Sequence, residues 1–268
     1  MTNDFYGAIL GRFTLRIRKL LTHPDVSSGS PTKIDLPCGK LTLQFEVFSS
    51  VEVFRIANYG GEREFLERFM ESLESNDVVF DIGASVGLFT VHAAACLGNG
   101  EVIAFEPDPE TAKRLKHNVQ LNSFSNVRYV SWAVSDISGE AVLFSDGVSG
   151  YAPTLREQKN RPGAAKGQVK VLTRALDEAI MSGDLPLPTV LKIDIEGAEV
   201  LCLRGALKLV RGELGAKPRL IFLEIHPDFL PSFNSSIEEV HSFVLNHGYS
   251  VVWQEKRDTQ IHYCYRRN

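Results

Sequence analysis

The sequence predicts an α/β protein built on a mostly parallel sheet. From residue 78 onward, apolar strand patterns alternate with helical patterns of ten or more residues, as in βαβ units. A glycine turn joins the first of these strands to its helix. Of the 268 residues, 44% are hydrophobic and 23% are charged, with a net charge of -4. This composition excludes a disordered or low-complexity chain and offers no basic footprint for nucleic acid.

The first 75 residues are expected to form an N-terminal extension. Over residues 5–21, apolar side chains recur at steps of three and four, which predicts an amphipathic helix with a basic opposite face. This helix could pack on its own domain, join copies into a homo-oligomer or lie on an anionic membrane surface. Residues 23–37 are interpreted as a linker, and short strands over 41–45 and 51–56 precede a helix over 62–73.

The remaining chain, residues 76–268, is expected to form one domain. Strands are predicted over 78–82, 102–105, 127–131, 140–144, 169–172, 189–195, 219–225, 249–254 and 260–265. Helices are predicted over 88–97, 110–121, 176–181, 198–210 and 237–246. The last two strands have only a short connection and should form a hairpin, which makes the final strand antiparallel.

Three sequence features predict a location in a reducing cytoplasm. The longest apolar runs are a few residues long, whereas a membrane span needs about 20, so no span is expected. The four cysteines form no C-x-x-C pair and no zinc-ligand spacing. Basic residues interrupt the apolar segment over 5–21, which is not typical of a secretory signal.

The strongest local motif is V-V-F-D-I-G-A-S-V-G over residues 78–87. An apolar strand runs into a glycine turn that opens a helix, and such a turn lets the backbone approach a ligand closely. At the end of the next strand, Glu106 can accept hydrogen bonds from both hydroxyls of a ribose. Together these features predict a ligand that contains adenosine.

The glycine spacing decides between adenosine ligands. A pyrophosphate turn requires G-x-G-x-x-G, but Ser85 and Leu88 occupy the second and third glycine positions after Gly83. Asp81, just before the turn, is unfavourable for a pyrophosphate and favourable for a cationic amino-acid tail. S-adenosylmethionine carries an ammonium and a sulfonium and no phosphate, so it is favoured over NAD.

From about residue 77 to 265 the chain resembles the FkbM-type branch of the class I methyltransferases that use S-adenosylmethionine. The matching blocks are D-I-G-A-S-V-G-L-F-T over 81–90, F-E-P over 105–107, A-V-S-D over 133–136 and K-I-D-I-E-G-A-E over 192–199. The last block is much more specific than the glycine turn. Ser85 stands where the family commonly has Asn, and the resemblance does not extend to the first 40 residues.

The resemblance implies a Rossmann-like seven-stranded sheet with helices on both faces, a bound methyl donor and usually methyl transfer to oxygen. It also implies that three groups of residues surround the donor. The methionine part would contact Asp81, Gly83, Ala84, Ser85 and Gly87, the ribose would contact Glu106 and Pro107, and the adenine would be bordered by Ala133 and Val134. Trp132 either stacks on the adenine or is a core residue. Glu64 either reaches the donor's amino group or lies on a solvated helix face.

Polar side chains at two strand ends are candidates for the reacting centre. Lys192, Asp194 and Glu196 alternate with apolar neighbours, and Glu224 and His226 share a face of a later strand. If the two strands are neighbours, these groups converge at the carboxyl edge of the sheet, where ligands of open α/β sheets bind. Converging carboxylates raise one another's pKa unless a cation neutralises them.

These groups can be given catalytic roles. Asp194 or His226 would act as the base for an alcohol nucleophile, with Glu196 and Glu224 orienting its hydroxyls. Lys192 would keep the carboxylates ionised, and activity would then survive EDTA. A magnesium ion among these acids and the histidine is the rival arrangement, and a structural ion-pair network is another. The basic loop over 145–167 is either solvated or a lid over the acceptor.

The predicted function is transfer of a methyl group from S-adenosylmethionine to a hydroxyl oxygen of a small-molecule acceptor, a sugar or a natural-product scaffold. N-methylation of a peptide amide or amine is an alternative. An NAD-dependent oxidoreductase is disfavoured by the missing middle glycine. The convergent acids argue against a non-catalytic binding protein, because such a protein needs no base.

Overall fold

The computed structural model describes residues 31–145, 153–157 and 167–268. The amphipathic helix predicted over 5–21 and most of the loop predicted over 145–167 lie outside the described residues. Within the described ranges, no helix combines the length and the apolar character that a membrane crossing requires.

The strands and helices of the described residues have the following bounds. In chain order the strands are β1 (Thr32–Cys38), β2 (Leu41–Val47), β3 (Val78–Ile82), β4 (Glu101–Phe105), β5 (Val127–Val130), β6 (Ala133–Val134), β7 (Gly139–Ser145), β8 (Gly167–Arg174), β9 (Val190–Ile193), β10 (Leu220–Ile225), β11 (Tyr249–Arg257) and β12 (Gln260–Arg267). The helices are α1 (Ser50–Ala57), α2 (Arg63–Glu71), α3 (Leu88–Cys96), α4 (Pro109–Leu121), α5 (Leu176–Met181), α6 (Glu199–Gly205), α7 (Leu207–Arg211) and α8 (Ile237–Asn246).

Seven strands form the central sheet, in the order β11-β12-β10-β9-β3-β4-β5. The run from β10 to β5 is parallel, and β12 is antiparallel to both β10 and β11. The predicted α/β sheet with an antiparallel last strand is therefore confirmed. The chain leaves β3 toward β4 and β5 and later returns to β9 on its other side. This reversal between β3 and β9 is the place where open α/β sheets bind ligands.

The central strands are buried on both faces because helices cover each side. All residues of β9 and β10 are buried, and both strands are almost continuously apolar, as expected for such strands. One hydrophobic cluster packs α5, α6 and α8 against the sheet, and a second packs α2, α3 and α4 against the other face. The helices thus hold β9 and β10 in register, which fixes the polar groups at their carboxyl ends.

The N-terminal region differs from the prediction in two places. Residues 51–56 belong to helix α1 rather than a strand, because the Ser49 side chain accepts a hydrogen bond from the Glu52 N–H at 3.1 Å and caps the helix. The predicted linker over 23–37 is strand from Thr32 onward. Strands β1 and β2 form an antiparallel hairpin whose Leu36 and Phe45 join the cluster of α2, α3 and α4.

The strand predicted over 189–195 ends at Ile193. Glu196 and Gly197 have positive φ values of 50° and 94°, so the chain turns sharply before α6. Asp194 and Glu196 therefore lie in this turn rather than on the strand. The helix predicted over 198–210 is divided into α6 and α7.

Candidate active site

The glycine turn after β3 packs closely against the turn after β9. Gly83 has a φ of 85°, and a Cβ added there would lie 1.9 Å from the carbonyl oxygen of Asp194. The N–H groups of Gly83 and Ala84 both donate to the Phe105 carbonyl, at 3.1 and 2.9 Å. Ser85 is a non-glycine residue with a φ of 50°. The strain at this turn is typical of a functional site.

Two adjoining cavities open beside this turn. The larger has a volume of about 630 Å³ and is lined by six of the residues expected to hold the donor: Gly83, Ser85, Glu106, Pro107, Ala133 and Val134. Trp132 lines it too and packs edge-to-face on Phe105, so it contacts the core and also borders the cavity. The smaller cavity is lined by Ala84, Glu62 and Lys192. Gly83, Ser85 and Asp194 border both cavities.

Two residues expected at the donor line neither cavity. Asp81 is fully buried beneath the turn, where it accepts a hydrogen bond from the Thr90 hydroxyl at 2.5 Å and lies 3.2 Å from the Lys192 ammonium. Gly87 begins α3 as its N-cap residue, and a Cβ there would lie 2.9 Å from the Leu115 side chain. Both residues support the shape of the turn from below.

Glu106 is buried at the end of β4. Its two carboxylate oxygens accept hydrogen bonds from the backbone N–H groups of Ser85 and Asp108, each at 2.9 Å. Burial raises the pKa of Glu106 to about 7. These bonds hold the carboxylate at the wall of the larger cavity, where it can accept hydrogen bonds from a ribose.

Glu62 is a site residue that the sequence interpretation missed. The alternative position, Glu64, has 53% of its side chain exposed and pairs with Arg68, so it lies on a solvated helix face. Glu62 is buried, borders the smaller cavity and contacts Arg257 at 3.3 Å. Burial and the charges of Glu224 and Asp194 raise its pKa to about 8. The preceding Gly60-Gly61 pair, another turn with positive φ, was the signal for it.

The strand-end groups do converge, because β9 and β10 are neighbours. Nε2 of His226 lies 3.7 Å from Asp194 Oδ1, 3.7 Å from Glu196 Oε2 and 3.5 Å from Glu224 Oε1. Asp194 and Glu196 line the larger cavity, whereas Glu224 and His226 lie behind them and line neither cavity. The expected role of Glu224 in orienting substrate hydroxyls does not fit this position.

Lys192 links the cluster to the glycine turn. Its buried ammonium donates to the Gly83 carbonyl at 3.1 Å and lies 3.5 Å from Asp194 Oδ2. Burial alone would lower the pKa of Lys192, but the Asp81 and Asp194 carboxylates outweigh it and raise the pKa. Lys192 is therefore a fixed cation beside Asp194.

The two candidate bases differ in charge. Burial favours the neutral form of both, but for His226 the nearby Glu196, Glu199 and Glu224 raise the pKa well above its ordinary value. For Asp194, the positive charges of Lys192 and His226 lower the pKa against the effect of burial. Asp194 is thus an ionised carboxylate, ready to accept a proton, and His226 is cationic.

Two further residues of the cluster were not assigned to it from the sequence. Glu199, the first residue of α6, is fully buried, and its Oε1 accepts a hydrogen bond from His226 Nδ1 at 2.7 Å. Nε2 of His262 lies 3.3 Å from Glu224 Oε2 because β12 pairs His262 directly with Glu224. His262 also stacks on Phe65, with ring centroids 4.5 Å apart. This partner depends on the register of the strand pair, which no local motif encodes.

Comparison with known proteins identifies the family. A model of the FkbM methyltransferase domain matches residues 81–251. The chain belongs to this family. The range matched in this FkbM methyltransferase includes the glycine turn, Glu106 and the strand-end cluster up to His226, whereas Glu62 and His262 lie outside it.

Two relatives of this FkbM methyltransferase and one solved structure are similar along most of the chain. The hexuronic acid methyltransferase AglP of Haloferax volcanii is 28% identical over 183 residues, which cover 68% of this chain and 70% of that protein. The 31-O-demethyl-FK506 methyltransferase FkbM of Streptomyces tacrolimicus is 25% identical over 229 residues, covering 75% and 84%. The structure of precorrin-6y C5,15-methyltransferase from Geobacter metallireducens superposes with a TM-score of 0.46 at 15% identity, covering 77% and 88%.

The buried carboxyl groups of this FkbM methyltransferase predict a pH-dependent stability. Glu62 and Glu224 have pKa values raised to about 8, and Glu106 to about 7. Each binds its proton more tightly in the folded than in the unfolded chain, so its contribution to stability is lost as the pH rises through the folded pKa. We expect the melting temperature of the ligand-free protein to fall as the pH rises through about 7 to about 8.

Two variants check this pH prediction by differential scanning calorimetry. Glu62→Gln removes one of the three groups and should flatten the decline, whereas Glu64→Gln, on the exposed face of α2, should leave it unchanged. His92 and His262 have lowered pKa values, so their contribution to stability increases with pH. This increase occurs only at pH values below the ordinary histidine pKa of about 6.5, outside the range of the prediction. A melting temperature that rises over the same range would contradict the prediction.

Proposed function

We propose that this methyltransferase transfers a methyl group from S-adenosylmethionine to a hydroxyl oxygen of a small-molecule acceptor, a sugar or a natural-product scaffold. The observation that carries the proposal is the position of Asp194. It is an ionised carboxylate at the border of two cavities, one with the features of an adenosine site and the other lined by Glu62. A base is therefore placed beside the point where donor and acceptor would meet.

The two cavities support S-adenosylmethionine as the donor. In the larger one, Glu106 faces the space for a ribose, and Trp132, Ala133 and Val134 provide apolar surface for an adenine. In the smaller one, the Glu62 carboxylate can balance the ammonium of the methionine part. The sulfonium would then lie near Gly83, which borders both cavities. No phosphate is needed for this fit.

The chemistry requires alignment and a proton acceptor. A lone pair of the acceptor hydroxyl attacks the methyl carbon, the carbon–sulfur bond breaks, and its electron pair neutralises the sulfonium. Holding oxygen, carbon and sulfur in line can supply roughly 7–11 kcal/mol. Asp194 accepts the hydroxyl proton, and Lys192 keeps this carboxylate ionised beforehand. Glu196, which also lines the larger cavity, can orient neighbouring hydroxyls of the acceptor.

The names of the relatives support the class of acceptor. AglP is described as acting on a hexuronic acid, and the Streptomyces enzyme on 31-O-demethyl-FK506. The first is a sugar acid and the second is a natural product methylated on oxygen. An oxygen acceptor with several hydroxyl groups also suits the carboxylates of the larger cavity, which accept hydrogen bonds.

The donor is tested by thermal shift. S-adenosylhomocysteine should raise the melting temperature of the protein, and NADH should not. Glu106→Gln keeps the size of the side chain but removes one of the two acceptor oxygens, so it should abolish most of the shift. The measurement is differential scanning fluorimetry of the full chain, with the exposed Glu64→Gln as the matched control.

Stabilisation by NADH alone would refute the methyl-donor assignment, and an undiminished shift in Glu106→Gln would remove the ribose role of Glu106. Labelled methyl donor then follows the transfer into hexuronic acids and hydroxylated natural products. Label recovered on nitrogen rather than oxygen would contradict the hydroxyl acceptor.

A further inference from the structure

The imidazole of His226 faces three carboxylates at distances that hydrogen bonds do not explain. Its Nε2 lies 3.5 Å from Glu224 Oε1 and 3.7 Å from the nearest oxygens of Asp194 and Glu196. An N–H···O bond is about 2.7–3.2 Å long, so none of these contacts is one. The side chain of His226 is only 3% exposed. The buried imidazole therefore faces a group of carboxylates at ion-pair distances.

The other ring nitrogen of His226 is firmly held. Nδ1 donates to Glu199 Oε1 at 2.7 Å, and the same oxygen accepts the backbone N–H of Gly197 at 3.0 Å. This bond sets the ring orientation and directs Nε2 toward Asp194 and Glu196. A histidine fixed by a buried carboxylate on one nitrogen, with its other nitrogen presented to a cluster, is the usual arrangement of a metal-bound histidine.

Glu224 adjoins this group and lies between His226 and His262. Its Oε2 is buried and makes no hydrogen bond within the described part of the chain. The nearby His262 Nε2, at 3.3 Å, is also buried and without a hydrogen bond there. Burial and the neighbouring Asp194 carboxylate raise the pKa of Glu224 to about 8, and a positive charge nearby would favour its ionised form.

Lys192, the cation favoured from the sequence, lies on one side of the cluster. Its ammonium is closer to Asp81 and to the Gly83 carbonyl than to Asp194, and it forms no ion pair with Glu196 or Glu224 among the described contacts. Arg55 interacts electrostatically with Glu62 as well as with Asp194, Glu196 and Glu224, so its single charge is shared among four carboxylates. The sequence-based expectation is that Lys192 and the substrate together neutralise the cluster; in the structure the Lys192 ammonium lies beside Asp81 and Asp194.

We propose that Asp194, Glu196 and His226 bind one divalent cation. The cation takes the place of the proton on Nε2, so His226 is neutral when the cation is bound and cationic when it is not. Their ligand atoms all lie within 4.8 Å of one another, and the two distances to Nε2 are 3.7 Å. Two ligands bonded to one cation at about 2.0–2.2 Å are separated by at most about 4.4 Å, so these atoms can share an ion with little movement. Two carboxylates and one imidazole suit a cation that accepts both kinds of ligand, such as Mn²⁺.

A cation at this place would border the larger cavity, because Asp194 and Glu196 line it. It would occupy the side of Asp194 Oδ1, whereas Oδ2 faces Lys192. A bound cation lowers the pKa of a hydroxyl that coordinates it. The proposal concerns cation binding alone and stands whether or not the acceptor class proposed above is correct.

The test is a Mn²⁺ titration of the full chain after EDTA treatment and dialysis, with free Mn²⁺ measured by electron paramagnetic resonance. We expect one Mn²⁺ per chain. Glu196→Gln and His226→Ala should each remove most of the binding, since each loses a ligand. Glu199→Gln disturbs only the positioning of His226 and should weaken binding about 10–100-fold. Glu64→Gln, an acid exposed on α2, is the matched control and should bind as the unchanged protein does.

Absence of Mn²⁺ binding at millimolar concentration would overturn the proposal, and so would unchanged binding in both Glu196→Gln and His226→Ala. A second trio, Glu62, Asp194 and Glu224, also places its ligand atoms within 4.8 Å. Binding lost in Glu62→Gln but retained in Glu196→Gln would show that this trio holds the ion, which would refute the ligand set proposed here. The S-adenosylhomocysteine shift is measured without metal, so a failure of the donor assignment remains separate.

Discussion

The Asp194→Asn variant should bind S-adenosylhomocysteine normally and lose about 10²-fold or more in turnover, the range for removal of an acid–base group. The substitution keeps the size and hydrogen-bonding capacity of the side chain but removes its ability to accept a proton as a carboxylate. Asp194 has a lowered pKa and borders both cavities, so it is the group best placed to take the proton of the attacking hydroxyl. Turnover is measured with labelled donor both after EDTA treatment and at saturating Mn²⁺, so that loss of the base is separated from loss of a cation ligand.

His226→Gln decides between the two candidate bases. The true base should show the larger loss of turnover and a changed pH–rate profile, and the raised pKa of His226 predicts that Asp194 shows both. A purely structural role for Asp194 predicts a lower melting temperature with turnover preserved in the folded fraction. Full activity in both variants would exclude the strand-end cluster from the mechanism.

Gly83→Ala should destabilise the protein strongly and abolish donor binding. The added methyl would lie 1.9 Å from the Asp194 carbonyl oxygen and 3.1 Å from the Ile195 side chain, so the turns after β3 and β9 must separate. Overpacking typically costs about 1–3 kcal/mol. The left-handed backbone, with a φ of 85°, adds roughly 1–2 kcal/mol for a residue with a Cβ. Urea denaturation measures the loss in free energy of unfolding.

The control for Gly83→Ala is Gly139→Ala, at the first residue of β7. A Cβ there would meet only the Thr173 hydroxyl, at 4.0 Å, and the φ of Gly139 is not positive. A small gain of about 0.4–1 kcal/mol is expected, because alanine restricts the unfolded chain. Equal stability of the two variants would show that the close approach of the two turns is not present in solution.

Much of the fold could be predicted because its signals are local. Each strand and helix of the βαβ units carries its own apolar period, and the turn after β3 shows its glycines directly. The two incorrect strand predictions, over 51–56 and 189–195, have local causes as well. Val51 and Val53 alternate like a strand, but the Ser49 cap and the first-turn Glu52 start a helix there. In the sequence the strand pattern extends from Thr189 to Ile195, but the positive φ of Glu196 requires a turn before α6.

The sequence alone determined which groups stand at the strand ends, because Glu106, Lys192, Asp194 and His226 each follow an apolar strand that identifies them. Only the tertiary structure decided what surrounds them. Glu62 arrives from the N-terminal region because α2 packs on the sheet through Phe65, and His262 arrives because β12 pairs antiparallel with β10. Their proximity depends on packing and register between distant segments, which local periodicity does not encode. The charges of these groups also depend on the tertiary structure. Asp194 is ionised, and Glu62 and Glu224 have raised pKa values, because they are buried close to one another. That burial exists only after the sheet and its helices have packed together.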